Sequence, residues 1–373
     1  RTRPEVARKL ASRDAKDRSE DTVAMATGEN TANDAGEAAV RMRTLKLRCT
    51  FLTPAFLGDA EQNARWRTPP FKHLLREWWR VRFFAREGQG VASMRSVEGR
   101  LFGHAWLEND AWVDERGNKR TTAARKSLVR IRLLPADAAR PEHTWLGASQ
   151  VGVAPLPTSV ETGYAWFGLV RRGAGQPDRR ALKAGETRVL AFAWPIRYDE
   201  DMHETLRLVH SFGTVGSRSR GGWGSVWLSD MKGLTQEELL PYTQPLDRCL
   251  DFDWPAAIAR AEDGKPWLWL SQTAFRTWDE ALKQSAIWRR QVRLALKGRP
   301  DLRAALGFAG SGRMPSPLRW KVVRDEQGKL RLQVVAMPHK IPLEAGQSFS
   351  KDDLKRAWQV IRGEMNKLMP PRR

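Results

Sequence analysis

Residues 199–230 read DEDMHETLRLVHSFGTVGSRSRGGWGSVWLSD and contain a helix signal, a glycine-rich stretch and a strand signal in succession. Residues 199–212 predict an amphipathic helix, and residues 225–230 predict a strand. The helix places its apolar residues on one side: Met202, Leu206, Val209 and Phe212. Between them, residues 213–224 hold five glycines, two arginines and a tryptophan. A helix that passes through a glycine loop into a strand is therefore the unit around which we interpret the chain.

The segments before this unit predict a strand, a helix and two more strands. Apolar and polar residues alternate from Thr44 to Phe51, as in a half-buried strand whose open face is basic. Thr68 as cap and Pro69 as first helical residue predict the start of a long helix. Further strands are predicted at residues 127–134 and 187–196. This order is that of the split βαβ, ferredoxin-like arrangement, which RNA-recognition modules also use.

A second series of similar character follows residue 244. It comprises a strand, a long basic helix ended by Gly298, a hairpin and a helix capped by Ser350 (residues 267–271, 277–298, 318–337 and 350–368). We expect an α+β fold of two tandem ferredoxin-like domains, residues 42–243 and 244–373. Residues 1–41 have little apolar periodicity and read as an N-terminal extension or linker.

The composition favours a polyanionic partner. Lys and Arg number 64 against 43 Asp and Glu, which gives a net charge of +21 and a pI near 10.6. Two cysteines, Cys49 and Cys249, are too few for a disulfide framework or a four-ligand zinc site. No apolar run approaches the ~20 residues of a membrane span. We expect a cytoplasmic protein with no cofactor and no metal.

The glycine-rich loop has two interpretations. It is not a P-loop, because no Gly-Lys-Ser/Thr closes it, and it follows a helix rather than opening one. It is either an ordinary exposed turn or a phosphate-binding loop, in which the glycines admit backbone amides and Arg218 and Arg220 supply charge.

Basic residues predict a groove beside this loop. Lys72, Arg76 and Arg80 recur along one face of the first long helix. Trp66 and Trp223 lie beside arginines, where each either packs in a core or stacks on a base. The candidate RNA-binding residues are Arg65, Trp66, Arg67, Lys72, Arg76, Arg80, Gly216, Ser217, Arg218, Ser219, Arg220, Gly221, Gly222, Trp223 and Gly224.

Signals for catalysis are sparse. The six histidines are scattered and show no metal-ligand spacing. His210 precedes the glycine loop and is either structural or a general base for metal-independent RNA cleavage. We predict no catalytic residue, with an endoribonuclease that uses His210 as the alternative.

Residues 53–80, TPAFLGDAEQNARWRTPPFKHLLREWWR, resemble the opening of the RAMP-superfamily subunits numbered first in the Cmr module of type III-B CRISPR effectors. The family pattern is Thr-Pro, a Phe-Leu-Gly loop, an arginine, and a helix ending in Leu-Arg-x-Trp-Trp-Arg. The glycine loop at residues 215–226 and the segment with Arg313, Ser316 and Pro317 also resemble the family.

The resemblance spans residues 42–370 and implies a non-catalytic subunit with two ferredoxin-like domains. It implies a position at the guide-RNA 3′ end, with guide RNA, target RNA and other effector subunits as partners in antiviral defence. Asp59, in the loop after the first strand, is the one position considered for an acidic residue that cleaves RNA. A protein-interaction subunit, whose tryptophans pack against neighbours, is a further alternative.

Overall fold

The computed structural model describes most of the chain from Arg41 onward. The described residues are 41–58, 64–88, 90–105, 112–113, 116, 118–120, 124–134, 144–145, 161–166, 169, 180–308, 313–341 and 349–370. Residues 41–373 cluster as one compact unit. None of the helices in these ranges has the length and apolar character needed to cross a bilayer.

Four strands and three helices organise the first half. They are β1 (Met42–Phe51), α1 (Thr68–Glu87), α2 (Val91–Phe102), β2 (Arg130–Leu133), β3 (Thr187–Pro195), α3 (Asp199–Phe212) and β4 (Val226–Leu228). The strands form one antiparallel sheet in the order β4-β1-β3-β2. This order is the split βαβ arrangement predicted for the first half, with α2 as an addition.

The second half contains β5 (Thr243–Pro245), β6 (Ile258–Arg260), β7 (Leu268–Leu270), α4 (Trp278–Leu294), β8 (Leu318–Arg324), β9 (Leu330–Ala336) and α5 (Lys351–Leu368). Strands β7, β9 and β8 form an antiparallel sheet in that order, and β5 pairs with β6 in parallel. The sequence β7-α4-β8-β9-α5 supplies three strands and two helices of a ferredoxin-like plan. A complete second ferredoxin-like domain, and the boundary at residue 243, stay predictions.

Shorter elements complete the described structure. Two-residue strands lie at His104–Ala105, Trp112–Val113, Lys119–Arg120, Ala124–Arg125, Thr144–Trp145 and Ala181–Leu182. Short α-helices lie at Glu161–Trp166, Gln236–Leu239 and Leu246–Cys249, and 3₁₀ turns at Ile196–Tyr198, Leu240–Tyr242 and Pro300–Leu306.

Helix ends follow local chemistry. The hydroxyl of Ser350 accepts a hydrogen bond from the Asp353 amide at 3.0 Å, so the predicted cap of α5 is confirmed. The predicted cap of α1 is wrong by one residue, because Arg67 takes the extended cap conformation and Thr68 is already helical. Helix α4 ends at Leu294, before the predicted stop at Gly298.

Two hydrophobic cores fill the unit. One lies under the first sheet and includes Leu75, Trp78 and Phe212. The other fills the second half, and it also takes Phe56 and Trp223 from the first half. The two halves are therefore joined by shared apolar packing as well as by the chain.

Candidate nucleic-acid interface

The glycine-rich loop is the joint between the two halves. Trp223 is 1% exposed, and its ring meets Phe56 and Trp166 at centroid distances of 5.2 and 4.8 Å. Its indole N–H donates to the carbonyl of Ala165 at 3.0 Å. The carbonyl of Arg220 accepts from the amide of Trp320 in β8 at 3.2 Å. The structure thus decides for the core interpretation of Trp223, and stacking of this ring on a base is ruled out by its burial.

The loop glycines serve close packing of protein on protein. Gly222 and Gly224 have φ values of +99° and +63°, which side chains rarely adopt. A Cβ on Gly224 would overlap the carbonyl of Val215, and one on Gly222 would lie 3.0 Å from the Leu282 side chain of α4. The glycines are needed because Val215, at the start of the same loop, lies against Gly224 and Leu282 of α4 lies against Gly222.

Several loop amides already have acceptors within the protein. Gly221, Gly222 and Gly224 donate to the carbonyls of Arg218, Ser219 and Pro54 at 2.9, 3.0 and 2.9 Å. The prediction that the glycines present backbone amides to phosphate is therefore wrong for these three.

The start of the loop is more open than its end. Gly216 is exposed with φ +89°, and Ser217, Arg218 and Ser219 are half-buried. The amide of Ser217 donates to Phe56 at 3.2 Å. Backbone contact with phosphate at this end stays a prediction.

Three segments singled out in the sequence converge on one cavity of about 890 Å³. Helix α1 contributes Arg76 and Arg80, the glycine loop contributes Arg220, and the later segment contributes Arg313 and Ser316. Among the described residues, the cavity lining holds six arginines and three carboxylates: Arg76, Arg80, Arg95, Arg220, Arg313 and Arg319, with Glu77, Glu98 and Asp253. Its charge suits an anion.

Glu77 holds two of these arginines together. Its carboxylate forms ion pairs with Arg220 and with Arg319, the latter at 3.0 Å. Burial alone would raise the pKa of Glu77, but Arg319 and Arg220 outweigh it and lower the pKa to about 2. Two guanidinium groups thus share one carboxylate, which leaves the cluster cationic.

Arg319 is the most buried member of this cluster. Its side chain is 4% exposed, and its guanidinium lies 4.8 Å from the centroid of Trp78. Burial lowers the pKa of Arg319 to about 9. Its Nε has no hydrogen-bond partner in the described part of the chain.

Glu98 of α2 repeats the arrangement with two arginines of α1. Arg76 Nε donates to Glu98 Oε1 at 2.6 Å, and Arg80 Nε donates to Oε2 at 2.7 Å. The Glu98 side chain is 5% exposed, whereas those of Arg76 and Arg80 are 35% and 38% exposed. The Glu98 carboxylate holds both arginine side chains in place, so these side chains lose less conformational entropy when an anion binds.

Four predicted cations lie away from the cavity lining. Arg65 and Arg67 are exposed, on either side of a buried Trp66. Lys72 is half-buried, and its pKa is lowered by burial and by the nearby Arg76. The pKa of Arg218 is lowered mainly by its burial. The predicted basic residues therefore do not form a single groove. Some of them line the cavity, and these four lie outside its lining.

Trp66 belongs to the core. It is 3% exposed, and its ring stacks on Phe51 and Phe71 at 4.5 and 5.8 Å. Its indole nitrogen donates to Glu186 at 3.2 Å. Because the ring is almost completely buried, stacking on a base is ruled out here as it is for Trp223.

Of the two residues considered for catalysis, His210 and Asp59, only His210 lies among the described residues. His210 is 5% exposed, and its Nδ1 accepts from the Leu228 amide at 3.3 Å. Burial is the main cause that lowers the pKa of His210 to about 3. These contacts bury His210 against β4, and the absence of a catalytic role for it stays a prediction. Asp59 lies outside the described residues.

Sequence reasoning missed Glu77, Glu98 and Arg319. Glu98 lies on α2, for which no helix was predicted, and it reaches Arg76 and Arg80 only through the packing of α2 on α1. Arg319 lies in a predicted strand, where nothing in the sequence marks it as a partner of a helix residue. Glu77 adjoins Arg76 in the sequence but contacts residues from the two later segments instead.

Comparison with known proteins finds similarity in structure. No family model matches the chain, and no curated protein sequence matches it. Among solved structures, the chain is similar to Cmr1 from Pyrococcus furiosus in its apo form, with 18% identity and a TM-score of 0.50. That similarity covers 88% of this chain and 97% of the other.

Chains of two cryo-EM structures of Type III-B Cmr-beta also match. The first complex is bound to cognate target RNA; the match has 10% identity, a TM-score of 0.41 and coverage of 86% of this chain and 99% of that one. The second is bound to cognate target RNA and AMPPnP in the presence of ssDNA. This match has 11% identity, a TM-score of 0.44 and coverage of 87% of this chain and 98% of that one. The similarity to Cmr1 confirms the predicted resemblance at the level of the fold.

Proposed function

We propose that this protein is an RNA-binding subunit of a type III-B CRISPR ribonucleoprotein effector. The observation that carries the proposal is the convergence of three separate segments, each of which resembles the family, on one arginine-lined cavity. In this proposal Arg76, Arg80, Arg220 and Arg313 contact RNA phosphates, which positions the RNA without reading its sequence. The similarity of fold to Cmr1 supports the assignment.

The finer parts of the proposal come from the family resemblance. The subunit acts at the guide-RNA 3′ end, contributes to guide and target binding, and does not itself cleave RNA. The burial of His210 supports the last point, because a base held against Leu228 and Trp227 is poorly placed to reach a ribose hydroxyl. The other effector subunits are its protein partners.

The experiment is a salt titration of RNA binding by the full chain. Each phosphate neutralised on a single strand contributes about 0.7 to the slope of log K against log salt. Arg313 is exposed, lines the cavity and forms no ion pair with a described residue, so Arg313→Gln removes one contact without disturbing a buried pair. We expect a shallower slope and weaker binding for this variant.

Lys329→Gln is the matched control, because Lys329 is exposed and does not line the cavity. It should bind RNA as the wild-type protein does. Equal losses for the two variants would show that only net charge matters, and binding that is insensitive to salt would refute the phosphate-contact proposal.

A further inference from the structure

The first sheet has one buried face and one exposed face. Leu47, Cys49, Leu190 and Phe192 point into the core and are at most 3% exposed. Alternation along the strands places the neighbouring side chains on the opposite face. On that face lie Thr44, Lys46, Arg48 and Thr50 from β1, Thr187, Val189, Ala191 and Ala193 from β3, and Arg130 and Arg132 from β2. We call this the open sheet face.

The open sheet face has two rows of cations separated by small side chains. Lys46 of β1 lies opposite Ala191 of β3, and Ala191 lies opposite Arg132 of β2. Because neighbouring strands are about 4.8 Å apart, the backbones of Lys46 and Arg132 are about 10 Å apart. Arg48 and Arg130 extend the two rows, each about 7 Å along its strand from the other cation of its row.

The charge of this face is not balanced by acidic residues. Lys46, Arg48, Arg130 and Arg132 are all exposed. Within the described part of the chain, the open sheet face carries no Asp or Glu, and none of these four side chains forms an ion pair. These four like charges, in two rows about 10 Å apart on either side of β3, repel one another. A polyanionic partner would relieve that repulsion.

The side chains between the rows favour RNA over a protein partner. Protein interfaces are anchored by aromatic and large apolar side chains. Here the floor is made by Val189, Ala191 and Ala193, which offer no such anchor. The floor is one strand wide, which fits a single polynucleotide backbone better than a duplex.

We propose that the open sheet face binds the sugar–phosphate backbone of a single-stranded RNA segment, as a second RNA-contact surface separate from the arginine-lined cavity. This inference rests on the proposed RNA-binding function. Trp227 of β4 is in register with Thr50, but it is half-buried and its ring lies 4.5 Å from that of His210. The described residues of the open sheet face include no exposed aromatic ring to stack on bases, so this surface binds RNA without sequence preference.

The test replaces Lys46, Arg48, Arg130 and Arg132 with Gln in the full chain. Binding of a fluorescent uridine homopolymer and of a matched RNA duplex is measured over a range of salt. We expect affinity for the single strand to fall by about tenfold or more, and the salt slope to fall by about 0.7 for each lost phosphate contact. Thermal stability should stay near that of the wild type, because substitutions of exposed side chains usually change it little.

The matched control replaces four exposed cations of the second half, Arg290, Lys297, Arg324 and Lys329, with Gln. It changes the net charge by the same amount and should weaken binding much less. If the four-site variant does not fold, Arg130→Gln with Arg132→Gln keeps the test, with Arg324→Gln and Lys329→Gln as its control.

The outcomes separate this surface from the cavity. Wild-type affinity in the sheet-face variant, together with a loss in Arg313→Gln, would overturn the second surface and leave the proposed function intact. Equal losses in the sheet-face variant and its control, or a larger loss for the duplex than for the single strand, would also overturn it. Failure of the wild-type chain to bind RNA would overturn both proposals.

Discussion

Lys321 in β8 is an ammonium group in the protein interior. It is 2% exposed, and its Nζ donates to the carbonyls of Val209 and His210 at the end of α3. A cation at a helix C-terminus interacts favourably with the helix dipole. Burial nevertheless lowers the pKa of Lys321 to about 7, slightly offset by the nearby Cys49. The group is therefore costly to keep charged in the folded protein.

The pKa of Lys321 predicts how stability changes with pH. The unfolded lysine keeps a pKa near 10.4, so between about pH 7 and pH 10 the unfolded chain binds more protons than the folded one. The free energy of unfolding of the wild type should therefore rise over this range relative to Lys321→Met. Urea unfolding at about pH 7 and pH 9 measures the difference. Parallel changes in the two proteins would show that Lys321 keeps an ordinary pKa.

We expect Glu98 to stabilise the folded protein and to weaken its binding to RNA. Glu98→Gln removes the charge shared by Arg76 and Arg80, and we expect the free energy of unfolding to fall by about 1–3 kcal/mol. The cavity gains positive charge, so RNA should bind more tightly at low salt with a steeper salt slope.

Urea unfolding and RNA titration measure the two effects of Glu98→Gln. Glu326→Gln is the control, because Glu326 is exposed and outside the cavity lining. Weaker RNA binding by Glu98→Gln would mean that orientation of the arginines by Glu98 matters more than the added charge.

At the scale of elements, the glycine loop is a connection under tight steric limits. Gly224→Ala adds a Cβ that overlaps the Val215 carbonyl in a backbone conformation with φ +63°. We expect it to lower the free energy of unfolding by more than about 2 kcal/mol. A residue other than glycine in this backbone conformation costs about 1–3 kcal/mol, and the steric overlap adds to that cost. Gly264→Ala has φ +81° with no atom within 4 Å of the added Cβ, so it should cost only about 1–2 kcal/mol. Equal losses in the two variants would show that the loop yields to the added group.

At the scale of the molecule, the shared core predicts cooperative unfolding. Trp223 and Phe56 belong to the first half of the chain but pack in the core of the second. We expect calorimetry of residues 41–373 to show one transition, with equal calorimetric and van't Hoff enthalpies. Trp223→Ala should lower its midpoint, because truncating a buried tryptophan costs about 3–5 kcal/mol. Two resolved transitions in the unsubstituted chain would contradict this coupling.

The net charge is also a property of the whole molecule. The excess of 64 basic over 43 acidic residues is visible in the composition, and it points to a polyanion wherever the side chains lie. The structure places part of this excess in the arginine-lined cavity and another part on the open sheet face. A single groove is therefore too simple an account of how this protein would meet RNA.

Local patterns were sufficient to predict most of the longer secondary-structure elements, but not α2. Helix α3 has the predicted bounds of residues 199–212, the hairpin at residues 318–337 is confirmed, and Ser350 caps α5. These features depend on apolar periodicity and on hydrogen bonds between residues close in the chain. The cations Arg76, Arg80 and Arg220 were also evident, because their charge does not depend on the fold.

Contacts between distant segments were decided by the tertiary structure. Glu98 orients Arg76 and Arg80 only because α2 packs on α1, and Trp223 is buried only because the second half supplies its core. The glycine loop illustrates the difference: composition alone allowed a phosphate site or a turn, since glycine permits both. The end of the loop became a joint because the amide of Gly224 donates to the Pro54 carbonyl and the Leu282 side chain lies against Gly222. Both contacts depend on residues far away in the sequence.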